Sequence, residues 1–295
     1  MNQELNLRNI HNQKLLICSD LHGNLADFEM VCQKFYQLKN RHECDLLVLA
    51  GDLIHGYPGY MDRSLELLTR AKSMKDSGDA ILLLGNHELS HLMHWELRKG
   101  SACFTSRFEL AMNPQERTFW MQEFLTWPLA LQTQGGVFIN HSGPSQALAG
   151  MGDAKTSLIA RLSGYRNWYL EAEFKHWAQA KILDGWDPEL GDIYLKTPQG
   201  ALLWEVFFNK NEHSWPTHYP EILNRYLEMV APGCSLLLSM HIEEPSGYKI
   251  VAKNQLRLCS SYGCSSNSQK KVLLLDSDEV YSDAKDLLPL LVPIY

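Results

Sequence analysis

Ile81-Leu82-Leu83-Leu84-Gly85-Asn86-His87-Glu88 decides how this chain folds. An apolar run stops at a glycine and then delivers an amide, an imidazole and a carboxylate in succession. The same segment contains His87-Glu88-Leu89-Ser90-His91, which matches the H-E-x-x-H pattern of a zinc-protease helix with Glu as general base. Two chemistries are therefore open. Either a strand end supplies ligands to a hydrolytic metal centre, or a helix holds a single zinc.

The flanking runs favour the strand. Lys14 to Ser19 is short and apolar, reads as a buried strand, and ends in Asp20-Leu21-His22-Gly23-Asn24. Phe28, Val31, Cys32 and Phe35 then recur at helical spacing, predicting a helix over 25–38 with Asn24 as its cap. Asp45 to Ala50 is a second apolar strand, ending in Gly51-Asp52. Met61, Leu65, Leu68 and Ala71 share one face of a helix over 60–75, and 80–84 is the third strand. Strand, helix, strand, helix, strand predicts a parallel sheet with right-handed crossovers. Open sheets of this kind place their sites at the carboxyl ends of the strands. Asp20, His22, Asp52, Asn86 and His87 are thereby expected along one edge.

Further along, residues 89–127 read as helical, with a helix start at Asn113-Pro114. A strand over 136–140 runs into His141-Ser142-Gly143-Pro144. Residues 145–230, rich in Trp and Tyr, read as a helical cap inserted in a single domain of residues 1–295, with helices over 166–183 and 219–230. Cys234 to Ser239 is another apolar strand, ending in Met240-His241. Short strands over 247–252, 255–259 and 271–275 are expected to run antiparallel and extend a second sheet.

Five strand ends thus offer Asp20, His22, Asp52, Asn86, His141 and His241. A dinuclear hydrolase needs about this set, with one carboxylate bridging ions ~3.5–4 Å apart. Imidazole with carboxylate, and no thiolate, suits Zn, Mn or Fe better than Ca or Mg. The single-zinc alternative leaves Asp20, Asp52, His141 and His241 without a role. It also lacks the longer HExxHxxGxxH pattern, because His94 stands at the glycine position.

Asp20-Leu21-His22-Gly23, Gly51-Asp52, Gly85-Asn86-His87-Glu88, His141-Ser142-Gly143 and His241 together resemble the calcineurin-like metallophosphoesterase superfamily. Their order is similar to the phosphoprotein-phosphatase branch, which includes Ser/Thr phosphatases and bacterial diadenosine tetraphosphatases. The resemblance implies a four-layer αββα sandwich of two mixed β-sheets with helical insertions. It implies that Asp20 and His22 bind a first metal, Asp52 bridges, and Asn86, His141 and His241 bind a second. His87 would be the general acid of a phosphate-ester hydrolysis by metal-activated hydroxide, with Glu88 a structural carboxylate. A nucleotide-polyphosphate hydrolase is the alternative on the same site. The second motif departs from the branch's GDxxDRG, since His55 replaces its second Asp and Gly56 its Arg. Leu84 stands where an Arg precedes GNHE. Arg63, Arg161, Arg166 and Lys210 are candidate replacements for these phosphate contacts, and His55 is either a loop histidine or one that supports the site or touches phosphate. The absent arginines motivate one more alternative, a non-catalytic metal-binding protein, against which the complete ligand set argues.

Composition sets the remaining bounds. The net charge of −7, with no dense Lys/Arg block, argues against nucleic acid as the main partner. A phosphorylated substrate held by metal is compatible with it: a phosphoprotein, a nucleotide or a small phosphoester. Seven cysteines without a CxxC pair read as free thiols in a reducing compartment. The polar stretch from Met1 to Lys14 predicts no signal peptide, and no run reaches the ~18 apolar residues of a membrane span. A cytoplasmic location is the expectation. His11, His42, His176, His213 and His218 read as surface histidines, and Trp204 and Trp215 as packing within the cap.

Overall fold

The computed structural model describes residues 6–57, 61–99, 102–146, 196 and 198–295. The apolar runs become strands Leu7–Ile10 (β1), Lys14–Cys18 (β2), Leu46–Leu49 (β3) and Ala80–Leu82 (β4). Helix Leu25–Asn40 (α1) joins β2 to β3, and Ser64–Asp76 (α2) joins β3 to β4. Asn24 caps α1 by accepting from the Asp27 amide at 3.1 Å. One stripe of α1, comprising Leu25, Phe28, Val31, Phe35 and Leu38, is buried. β2, β3 and β4 pair in parallel, as the alternation of strands and helices predicts.

After β4 come helix Asn86–Met93 (α3), a small hairpin of Arg98–Lys99 (β5) and Ala102–Cys103 (β6), and helices Phe104–Leu110 (α4) and Pro114–Phe124 (α5). The expected helix start at Asn113-Pro114 is present, with Asn113 and Glu116 exchanging cap hydrogen bonds of 2.9 Å. The second sheet is built from Ala130–Thr133 (β7), Val137–Asn140 (β8), Leu236–Ser239 (β9), Tyr248–Ala252 (β10) and Gln255–Leu258 (β11). Its order is β1-β7-β8-β9-β11-β10. Strands β1 and β7, and Leu291–Pro293 (β13), were not expected from the sequence.

Lys271–Asp276 (β12) corrects an expectation. It does not extend the second sheet; it lies in the first, whose order is β13-β12-β2-β3-β4. Leu273 and Leu275 face the space between the sheets while Val272 faces the other way, so both faces of the strand are apolar. Such a strand belongs inside a sheet covered on both sides. Its antiparallel register sets Leu273 opposite Ile17 and Asp276 opposite Lys14.

Alternation within the strands divides the core. Leu15, Ile17, Val48 and Ile81 meet Leu131, Ile139, Leu238 and Leu258 between the two sheets. Leu16, Leu47, Leu49 and Leu82 point outward into the cluster that α1 and α2 cover. On the far side, Phe138 and Leu237 meet helix Tyr219–Val230 (α7), with the Phe138 and Tyr226 rings 6.3 Å apart. The result is the expected four layers, helices outside two mixed sheets. The predicted helix over 219–230 is thus an outer layer of the sandwich. Helix Pro198–Phe207 (α6) carries Trp204, which stacks on Phe208 at 4.3 Å. The rest of the expected cap, including the helix over 166–183, Arg161, Arg166 and His176, lies outside the described residues. No helix among the described residues is long and apolar enough to cross a membrane.

Candidate metal centre

The loops after β2 and β3 are stitched together by backbone hydrogen bonds. The amides of Asp20, His22 and Gly23 donate to the carbonyls of Gly51, Asp52 and Leu53 at 3.2, 2.9 and 2.7 Å. Asp20, His22, Asp52, His55 and His241 all adopt left-handed backbone, with φ of 54, 44, 55, 70 and 73°. Each costs on the order of 1 kcal/mol, a strain that accumulates where surrounding structure over-determines a site. Gly51, at φ +91°, could not carry a side chain, because a Cβ would lie 2.6 Å from His141 Nδ1 and 2.7 Å from Gly85 Cα. The motif loops are therefore in backbone contact.

Glu88 locks them. Buried in the first turn of α3, it accepts from the amides of Gly85 and Asp52, each at 3.0 Å, through one oxygen. The other oxygen accepts from Leu53 and Ile54 at 2.8 and 3.3 Å. Asn86 thus begins a helix rather than a loop, with Gly85 in extended backbone just before it. The H-E-x-x-H segment is helical after all, but it does not form a zinc site. The His55 ring sits between His87 and His91, and both Glu88 oxygens are occupied by backbone amides.

The expected ligands come together. Asp52, His141 and His241 present ligand atoms within 4.8 Å of one another, and so do His22, Asp52 and His87. Asp52 belongs to both groups. Asn86 Oδ1 lies 3.0 Å from His141 Nε2 and 2.9 Å from His241 Nδ1. Asp20 lines the same pocket, held at its Oδ2 by the Ser19 hydroxyl at 2.5 Å.

Backbone carbonyls set the tautomers. His22 Nδ1 donates to the Ile54 carbonyl at 3.1 Å, and His141 Nδ1 to the Ala50 carbonyl at 2.9 Å. Each Nε2 is left free to ligate, with the ring oriented by the opposite nitrogen. His141 Nε2 then faces Asp52 Oδ2 at 3.2 Å and the Asn86 amide oxygen, both acceptors. Only a proton or another cation satisfies such a group. In the chain alone, burial disfavours charge on His141, but Asp52 and Asp20 outweigh it and raise its pKa to about 9. Burial likewise raises Asp20 to about 7. Burial opposes charge on Asp52 too, yet the His141 and His87 imidazoles hold it well below the usual carboxylate range. Burial, reinforced by His141, pushes His241 down to about 3 and leaves it a neutral donor. This mixture of neutral imidazoles, carboxylates and an amide oxygen on one point fits borderline divalent cations.

A chain of hydrogen bonds runs away from the cluster. His87 Nδ1 lies 2.9 Å from His55 Nδ1, His55 Nε2 lies 2.8 Å from His91 Nε2, and His91 Nδ1 lies 2.8 Å from Glu109 Oε1. Arg117 Nε holds the other Glu109 oxygen at 2.5 Å. Burial opposes the charge on Glu109, but the bonds from His91 and Arg117 outweigh it and lower its pKa to about 2. Phe104 stacks on the His55 ring at 5.8 Å, and Phe108 meets it edge-on at 5.5 Å.

Two of the expected phosphate contacts do not line the pocket. His55 is fully buried behind His87, and its two nitrogens are taken by His87 and His91. Arg63 turns along α2 to pair with Glu66. Arg166, the third, lies outside the described residues. Near Gly56, which replaces the motif arginine, the Arg107 guanidinium donates to the Gly56 carbonyl and pairs with Asp62 at 3.0 Å. Tyr57, Glu243, Cys259 and Tyr262 are site neighbours that sequence reasoning missed, and Glu109, weighed there only as a carboxylate ligand of the single-zinc alternative, instead holds His91. Tyr57 stacks on Tyr262 at 3.7 Å and meets His22 edge-on at 4.8 Å. Only His91 left a signal, four residues after His87 on the same helical face.

The sequence profile of the calcineurin-like phosphoesterase family matches residues 13–215. Among solved structures, the chain is similar to a cold-active protein-tyrosine phosphatase of a psychrophilic Shewanella species, with 16% identity and a TM-score of 0.56 over 92% of this chain and 78% of that one. It is also similar to a protein serine/threonine phosphatase from Saccharomyces cerevisiae, with 16% identity and a TM-score of 0.54 over 93% of this chain and 76% of that one. No curated protein sequence matches. The family match spans all but the last of the motif loops that converge on Asp52, and with it this chain belongs to the calcineurin-like phosphoesterase family.

Proposed function

We propose that this chain is a dinuclear-metal phosphoesterase that cleaves phosphate esters with His87 as proton donor. The observation that carries the reading is Asp52, a buried carboxylate common to two groups of ligand atoms. Asp20, His22 and Asp52 would hold one ion, and Asp52, Asn86, His141 and His241 the other. Manganese, iron or zinc, when bound there, would supply an activated water and offset phosphoryl charge. Among the described residues that line the pocket, none is Lys or Arg.

His87 supplies the proton that the ester oxygen takes as it leaves with the P–O bonding pair. Its Nε2 lies 3.8 Å from Asp52 Oδ2, on the ligand side of the ring, while Nδ1 is tied back to His55. In the chain alone, burial pushes His87 to about 3, and Asp52 opposes this only in part. A phosphate dianion beside Nε2 favours the imidazolium, so substrate binding itself charges the donor. Water provides the new oxygen on phosphorus, and its proton restores His87.

Turnover of p-nitrophenyl phosphate with manganese, iron or zinc tests the reading. Activity is expected with at least one of them, and Asp52→Asn is expected to remove it. A folded, metal-loaded protein inert toward that ester, phosphopeptides and diadenosine tetraphosphate alike would overturn the reading. The same panel identifies the class of phosphorylated substrate.

A further inference from the structure

His87 needs a group behind it to fix its orientation, and His55 stands where a carboxylate is expected. An imidazole can serve only if its own tautomer is fixed. The geometry supplies that constraint from a distance. Glu109 can only accept from His91 Nδ1, 2.8 Å away, so His91 carries its proton on Nδ1 and offers a lone pair at Nε2. His55 must then donate through Nε2, at 2.8 Å, which leaves its Nδ1 a lone pair. His87 must donate through Nδ1 to that lone pair, at 2.9 Å, and its Nε2 is turned toward the ligand cluster.

We propose that Glu109, acting through His91 and His55, is the positioning carboxylate of His87. One carboxylate sets three tautomers in series, and every link is directional. Arg117 braces the far oxygen of Glu109 at 2.5 Å. The three histidines are buried, and Phe104 and Phe108 pack on the His55 ring. Hydrogen bonds in such surroundings are not exchanged for water, which preserves the order of the chain. Glu109 reaches the ligand cluster only through the rings, so it is a positioning residue and not a catalytic one. The inference rests on the reading of His87 as proton donor.

The test compares leaving groups on the metal-loaded enzyme. An alkyl phosphate needs the proton from His87, whereas p-nitrophenolate leaves with little help. Glu109→Ala is expected to lower kcat for the alkyl ester on the order of ten- to a hundredfold, and for p-nitrophenyl phosphate several-fold less. His55→Asp places a carboxylate directly on His87 Nδ1. In that background Glu109→Ala should no longer change the ratio of the two rates. Equal losses for both esters, or a Glu109 effect that persists in His55→Asp, would overturn the relay. His87→Asn, run in parallel, separates the two claims. If it spares the alkyl ester, the proton-donor reading fails; if it does not, but Glu109→Ala leaves the ratio unchanged, the relay alone fails. Imidazole nitrogen NMR of the wild-type, zinc-loaded protein keeps the test independent of folding in the variants. Protons on His91 Nδ1, His55 Nε2 and His87 Nδ1 are expected, and the reverse order would refute the proposal.

Discussion

Replacing Glu88 by Gln tests the clamp that joins the motif loops. The carboxylate accepts from four amides, those of Gly85, Asp52, Leu53 and Ile54, at 2.8 to 3.3 Å. Gln offers one oxygen and one NH2 group. Whichever way the amide is turned, two of the four N–H groups meet a donor. Each buried donor left unsatisfied costs about 1–3 kcal/mol, so the substitution should cost about 2–6 kcal/mol. Loss of charge offsets little of this. Burial, with Asp52 nearby, raises the Glu88 pKa to about 7, while the backbone amides it accepts from oppose that rise. Two acceptor positions are what the variant removes. Urea unfolding of the metal-free protein at pH 7 measures the loss, read as a lower midpoint at unchanged slope. A stability change under about 0.5 kcal/mol would refute the clamp, being smaller than one unsatisfied donor.

Three other outcomes are expected. Metal binding should release about one proton at pH 8, because His141, raised to about 9, must lose its proton to ligate. Apparent affinity should therefore weaken as pH falls below 9; calorimetry in buffers of different ionisation enthalpy reads the proton directly, and no release would contradict the assignment of His141. Gly51→Ala should destabilise by more than about 2 kcal/mol, because its Cβ would lie 2.7 Å from backbone at Gly85. Gly78→Ala, also at positive φ (+80°) but with nothing within 4 Å, should cost only about 1 kcal/mol of backbone strain, so equal effects by thermal unfolding would count against the close approach. Arg257, fully buried between Glu212 at 2.5 Å and Glu244 at 2.7 Å, should cost about 3–5 kcal/mol when changed to Ala, because two partly buried carboxylates lose its guanidinium, although Glu212 keeps Lys249; denaturant unfolding checks this.

The sequence alone determined the strands that carry the candidate ligands and which residues those candidates are. Each signal was local: an apolar run long enough for one strand, followed at once by a glycine or a polar residue. Parallel order among β2, β3 and β4 followed from the intervening helices, and the convergence of Asp20, His22, Asp52 and Asn86 followed from strand ends sharing one sheet edge, whereas His141 and His241 arrive from β8 and β9 of the other sheet. What only the tertiary structure decided was everything set by pairing across the chain. β12 joins β2, with Leu273 opposite Ile17, 256 residues apart in the chain, because a strand apolar on both faces is stable only inside a covered sheet. Arg63 looked available in sequence, yet the nearest carboxylate on its own helix takes it. His55 looked like a lost aspartate. Its role emerges only when α3 and α4 set His91 and Glu109 behind it, 36 and 54 positions along the chain. Hydrogen-bond direction passes through space from ring to ring, and no spacing in the sequence records it.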